Sequence, residues 1–293
     1  MNPIIPDKYE LIGEPLGTGG FGSVYKALVK TKDGYRGPVA LKIVNVVEVA
    51  TFHDLSEYSV IQTLDKEVRI LRDLSSDCKN NFVLCYYDSY YDESTGMYYI
   101  ETELIEGMDF FDFVNIQNIS TAMKYYYLLL IARDVAIGLK YIHDTGYIHN
   151  DIKLDNIMID INKNEPRILY TPVIIDLGLA CEIREGLCYA TAGTPEYASP
   201  ESVVPLENGA TVRYPASDMW ALGVTLYAAG KKVYPFRTID SLFNEQQAYP
   251  RFYSSNILLN TIVNGLLRKD INTRFTAEQV IQLTNNIENM RPE

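Results

Sequence analysis

Residues 147–160 read YIHNDIKLDNIMID. Isoleucine, leucine and methionine frame four polar groups packed closely together: Asp151, Lys153, Asp155 and Asn156. The frame asks for burial, and a buried charge is costly unless it is paired. A neutral asparagine, Asn150, stands between His149 and Asp151.

The neighbouring stretches give this segment its setting. Upstream, Ser120 or Thr121 can cap a long helix carrying Leu128, Ile131, Val135 and Ile142 on one stripe. Downstream, VIIDLG (173–178) ends an apolar strand at Asp176, and a Gly- and Pro-rich loop runs over 176–200. WALGVTLYAA (220–229) is apolar nearly all round, as a buried helix is, and TAEQ (276–279) is a capping box. The region before residue 105 reads differently. Residues 9–47 and 82–105 look like strands, with YRGPV (35–39) and DESTG (92–96) as turns. Residues 57–74 look helical through Ile61, Leu64, Val68 and Leu71. LIEG (104–107) reads as a joint between a strand-rich part and a larger helical part. Residues 44–60 and 161–172 form longer connections than such a plan needs.

Composition narrows the function classes. The 293 residues are 47% hydrophobic and 22% charged, enough for a sizeable core. The net charge of -12 and the pI near 4.8 lack the basic footprint of a nucleic-acid partner. The start MNPIIPDKYE has no secretory pattern, and the longest clean apolar run, residues 221–230, is too short to span a membrane. Cys78, Cys85, Cys181 and Cys188 are spaced too widely for a zinc knuckle, and read as reduced thiols of an intracellular protein rather than disulfides.

Three stretches carry chemistry beside the opening one. GTGGFGSV (17–24) lets Gly17, Gly19 and Gly22 turn a strand sharply and bring backbone N–H groups near phosphates. A plain hairpin explains it equally well, and neither a P-loop nor a dinucleotide fingerprint fits. In VALK (39–42), Lys42 ends a strand and needs a partner; Glu67 falls on the apolar face of the 57–74 helix and is the natural one, with Glu57 as rival. Asn156 and Asp176 are oxygen ligands suited to magnesium, and Asp151 can accept a proton from a hydroxyl.

Taken in order, the glycine loop, VALK, a helix Glu, HxDxKxxN, DxG and SPE resemble the eukaryotic-type protein kinases over residues 9–285. GTPEY (193–197), Asp218 in DMWALG, and Arg274 as partner of Glu201 extend the likeness. The resemblance implies a bilobal α+β fold. A small antiparallel-sheet lobe with one helix covers about 9–103, a hinge 103–107, and a mainly helical lobe 108–285. It implies ATP and Mg2+ as cofactors and a protein substrate with a serine or threonine acceptor; Lys153 and GTPEY resemble the serine/threonine type. Leu16, Gly17, Thr18, Gly19, Gly20, Phe21, Gly22 and Val24 would cover the nucleotide. Lys42, held by Glu67, would touch the α and β phosphates. Ala40 and Met158 would sandwich adenine, Glu103 and Ile105 offer hinge groups, Thr102 take the gatekeeper place and Asp109 the ribose. Asn156 and Asp176 would hold the metal, Asp151 would be the base, and Lys153 would neutralise the moving phosphoryl group.

Asn150 departs from the family, where arginine usually grips a phosphate on the activation loop. Activity independent of that phosphorylation is the expectation, although Tyr189, Thr191 and Thr194 lie in the loop. Two rivals stand beside this reading: a small-molecule alcohol kinase, against which SPE, GTPEY and the Glu201–Arg274 pair argue, and an inactive scaffold, which would have lost Lys42, Asp151, Asn156 or Asp176.

Overall fold

Alternation along residues 39–43 organises the first part of the fold. Val39, Leu41 and Ile43 are buried on one face of a strand, so Ala40 and Lys42 take the other. The computed structural model describes residues 4–291 except 77, 79, 117, 118, 163–168, 191, 208, 237, 239–241 and 244–249. Two units are distinguished, Met1–Lys79 with Leu84–Ile105, and Asn80–Val83 with Glu106–Glu293.

The first unit is an antiparallel sheet in the order β1-β2-β3-β5-β4: β1 (Tyr9–Gly19), β2 (Gly22–Thr31), β3 (Gly34–Asn45), β4 (Tyr86–Asp92) and β5 (Met97–Glu103). Ala27, Val29, Met97 and Tyr99 join the β3 residues in one apolar cluster. Two helices follow β3, α1 (Val46–His53) and α2 (Glu57–Leu74). Ser56 caps α2, whose Val60, Leu64, Val68 and Leu71 are buried. YRGPV lies inside β3, not in a turn: Lys32 and Asp33 make the turn, and a register shift between Ala27 and Val29 of β2 absorbs the irregularity. Lys42 does not end β3, which runs on to Asn45.

The second unit holds α3 (Phe110–Val114), α4 (Thr121–Asp144), α5 (Pro215–Lys231), α6 (Ile257–Leu266) and α7 (Ala277–Leu283). Its strands are β6 (Gly107–Asp109), β8 (Ile157–Asn162) and β9 (Leu169–Ile174) in one sheet, with two pairs beside it. These pair β7 (Tyr147–Ile148) with β10 (Cys181–Glu182), and β11 (Cys188–Ala190) with β12 (Thr211–Arg213). Ser120 caps α4, and Thr276 and Gln279 close the capping box of α7. Trp220, Leu222, Val224 and Leu226 of α5 are buried, and a Cβ on Gly223 would meet Leu266 at 2.8 Å. Glycine at that point lets α5 and α6 approach closely.

The cysteines correct the sequence reading: Cys78–Cys85 and Cys181–Cys188 are disulfides. Chain geometry is the reason. Cys78 sits in a left-handed bend with φ 49° after α2, which turns the chain back toward Cys85, with Cα atoms 5.5 Å apart. Cys181 and Cys188 flank a turn closed by Arg184 and Leu187, leaving their Cα atoms 6.1 Å apart. Residues 44–60 are the end of β3, α1 and the start of α2; residues 163–168 of the other long connection lie outside the described residues. No helix among the described residues is long and apolar enough to cross a membrane.

Candidate active site

In the first unit, β1 and β2 pair Gly17 with Val24, Thr18 with Ser23 and Gly19 with Gly22, leaving Gly20 and Phe21 at the tip. Leu16 and Gly17–Phe21 are exposed. Gly22 has φ 116°, and a Cβ there would run into the Ile43 carbonyl, so the hairpin requires glycine. Lys42 Nζ donates to both Glu67 carboxylate oxygens, at 2.7 and 2.9 Å. Glu67 is buried on α2, whereas Glu57 is the first residue of that helix. Ala40 and Val24 are half-buried, and Thr102 is buried at the end of β5. The Glu103 N–H donates to the Cys85 carbonyl at 2.9 Å, and the Cys85 N–H donates to Glu103 Oε1 at 2.7 Å. Ile105 is half-buried just beyond.

In the second unit, Asp218 of α5, fully buried, shapes the loop after β7. Its carboxylate accepts from the N–H groups of His149 at 2.9 Å and Asn150 at 2.8 Å, and lies 2.8 Å from His143 Nε2. Burial pushes this carboxyl up, but the bond and charge of His143 outweigh it and hold it below the ordinary carboxylate range. The two N–H bonds fasten the loop with Asn150 at φ 68°, a left-handed conformation that asparagine tolerates better than most residues. His149 Nδ1 accepts from the Asp151 N–H at 3.2 Å, which leaves Nε2 as the donor to the Ile175 carbonyl at 3.1 Å.

Asp151 is thereby buried with its carboxylate engaged on every side. Thr194 Oγ1 donates to Oδ1 at 2.6 Å; Lys153 Nζ and Asn156 Nδ2 donate to Oδ2 at 2.7 and 2.8 Å. Lys153 also reaches Thr194 at 3.2 Å. The Asn156 amide nitrogen faces Asp151, which leaves its oxygen as the donor suited to a cation. Asp176, exposed with φ 61°, accepts from the Gly178 N–H at 3.2 Å. Met158 is half-buried on β8 and pairs in register with Asp109. The Asp109 side chain caps α3 by accepting from the Asp112 N–H at 2.7 Å.

Asn150 answers the question its position raised. Its amide nitrogen donates to the Leu179 and Ala192 carbonyls at 3.2 and 3.3 Å, bridging both ends of the segment between them. Its oxygen accepts from Arg213 Nε at 2.6 Å, and that buried guanidinium also donates to the Ser202 and Ala192 carbonyls at 2.7 and 3.5 Å. Sequence reasoning missed Arg213, because one arginine in TVRYP carries no periodic signal. Thr191 of the same segment lies outside the described residues. Glu201 and Arg274 pair at 2.6 and 2.9 Å, as the motifs led us to expect. Burial raises the Glu201 carboxyl, but the Arg274 bonds and charge prevail and keep it below its ordinary value.

Comparison with known proteins identifies the family. The family profile described as the protein kinase domain matches residues 11–284. A serine/threonine-protein kinase of Drosophila erecta is 27% identical over 282 residues, 92% of this chain and 34% of its own length. One of Drosophila melanogaster is 27% identical over 229 residues, 74% of this chain and 28% of its own. One of Saccharomyces cerevisiae is 25% identical over 220 residues, 75% of this chain and 19% of its own. The chain thus spans about a third or less of the length of the curated relatives it matches. With the family profile covering most of its residues, the chain belongs to the protein kinase family.

Proposed function

We propose that the chain is a serine/threonine protein kinase using ATP and Mg2+, with residues 9–285 as its catalytic domain, divided into lobes 9–103 and 108–285 by a joint at 103–107. The observation that carries this reading is the Asp151 carboxylate, held between Thr194 at 2.6 Å and Lys153 at 2.7 Å. A substrate hydroxyl in the place of the Thr194 hydroxyl gives its proton to Asp151 as its oxygen attacks the γ-phosphorus. The bond from that phosphorus to the β–γ bridging oxygen breaks, and ADP leaves. The transition state is loose, so the residues act by position and charge. Lys153 stabilises the moving phosphoryl group, and Lys42, oriented by Glu67, the α and β phosphates.

The remaining assignments follow the residue types. The loop from Leu16 to Val24 offers backbone N–H groups to phosphates. Ala40, Thr102, Glu103 and Ile105 of the first unit, and Asp109 and Met158 of the second, are assigned to the nucleoside. Asn156 and Asp176 would supply two oxygen donors, a set that suits magnesium, which favours a few carboxylates together with phosphate oxygens. Magnesium, when bound, neutralises charge on the phosphate oxygens. The partner is a protein bearing serine or threonine, not nucleic acid or membrane, and ATP as donor suits an intracellular setting.

The test is transfer from labelled ATP with magnesium to a mixed protein substrate, followed by identification of the labelled residue. Phosphoserine and phosphothreonine support the reading. Transfer to choline-like alcohols alone would favour a small-molecule kinase, and ATP binding without turnover a scaffold.

A finer reading rests on Asn150. We infer that activity does not need activation-loop phosphorylation, since Asn150 and Arg213 already bridge Leu179 to Ala192 without a phosphate. Phosphatase treatment should leave the rate unchanged; loss of activity would overturn this reading.

A further inference from the structure

The helix α1 has no part in the chemistry above, yet its last residue touches the glycine loop. His53 Nε2 lies 3.2 Å from the Gly20 carbonyl oxygen. The His53 ring stacks on Phe21, with centroids 4.9 Å apart and planes 15° apart. A Cβ on Gly20 would come within 3.3 Å of His53 Nε2, so loop and helix are in close contact.

The helix offers a fixed post. Asn45 caps its start by accepting from Glu48 at 3.2 Å, and the Val46 N–H donates to the Gly96 carbonyl at 3.0 Å. Val46, Val49 and Ala50 are buried. Its C-terminal end closes through Asp54, left-handed at φ 54°, with the Asp54 N–H returning to Ala50.

We infer that His53 is a positioning residue, tethering the Gly20 carbonyl so that the Phe21 N–H is presented to a nucleotide phosphate. The tether needs a proton on Nε2, which both the neutral Nε2–H tautomer and the imidazolium provide. In a planar trans peptide the C=O and N–H point in opposite directions. Holding the Gly20 carbonyl on α1 therefore turns the Phe21 N–H away from α1. Stacking of the same ring on Phe21 also restrains the residue that carries that N–H. A glycine-rich tip without this hold samples many orientations, and ordering it on binding would cost affinity. The ligand's identity rests on the kinase reading; the tether itself does not.

The experiment compares wild type with His53→Ala, His53→Gln and Phe52→Ala. It measures millisecond hydrogen exchange of the Gly19–Gly22 amides, and KM for ATP separately from kcat. His53→Ala is expected to speed loop exchange and to raise KM about five-fold, the effect of one hydrogen bond, with kcat within about two-fold. His53→Gln, whose amide can donate to the same carbonyl, should restore most of the loss. Phe52→Ala, which removes an exposed ring set edge-on to His53, should change neither value. Unchanged exchange and KM in His53→Ala would overturn the inference. So would a fall in kcat with KM and exchange unmoved. A wild type that transfers no phosphate would defeat the kinase reading alone, and loop exchange in His53→Ala would still decide the tether.

Discussion

The two units present their functional side chains on different kinds of backbone. In the first, Lys42 and Glu67 stand on a regular strand and a regular helix, joined at 2.7 and 2.9 Å. In the second, Asp151 and Asp176 stand on loops, and the left-handed residues Asn150 and Asp176 have φ 68° and 61°. Regular elements hold their side chains through backbone ladders that exist for the fold's own sake. Loops need supports, and here the supports are Asp218, His149, Asn150 and Arg213. The contrast teaches that a first-unit substitution should move the rate, whereas a second-unit support should move rate and stability together.

Leaving aside Asp151, the largest expected effect is that of Asp176→Asn. Because Asp176 is exposed, its loss should lower kcat by about 10²–10³-fold while leaving the unfolding midpoint in urea in place. A shifted midpoint would blur the distinction between the ligand and its supports. Next comes Glu67→Gln, which keeps shape but removes the charge that holds Lys42. Misplacing that ammonium should cost up to about 10²-fold in kcat/KM, measured in steady state; an unchanged rate would remove Lys42 from the chemistry.

Arg213→Met tests the other side of the comparison. It strips the donor from the Asn150 oxygen and from the Ser202 carbonyl. Leaving those acceptors unmet should destabilise the protein by about 2–3 kcal/mol, read from urea unfolding, and slow transfer as well. A slower enzyme of wild-type stability would mean that the loop is held by something else. The smallest effect concerns pH. Glu201 and Asp218 both have carboxyls held below their ordinary values of 4.5 and 3.8. Their contribution is present above those values and is lost as pH falls through the lower folded ones. Thermal unfolding should therefore be level near neutrality and drop in acid, and Glu201→Gln should flatten part of that drop.

Much of this was legible in the sequence because its signals are local or periodic. The α2 stripe placed Glu67 inward, and an inward carboxylate demanded Lys42. The spacing of Asp151, Asn156 and Asp176 marked the loops that carry oxygen donors. What escaped depends on contacts far apart in the chain or on how a turn closes. Arg213 meets Asn150 across 63 positions, and nothing in TVRYP announces it. His53 meets Gly20 across 33, at the end of a helix that reads from sequence as a long connection. The disulfides were misread because an intracellular setting was taken to keep the thiols reduced, whereas a left-handed bend and a hairpin turn bring the cysteines together.

The most direct test of the central claim sets the wild type beside Asp151→Asn, with labelled ATP, magnesium and a mixed protein substrate, after phosphatase treatment of both. The prediction is phosphoserine and phosphothreonine from the wild type, and a loss of about 10²–10⁴-fold in the variant, the range for removing a general base, with ATP still bound. Equal transfer by both proteins, or none by a wild type that binds ATP, would contradict the assignment of Asp151 as the base of a working serine/threonine kinase.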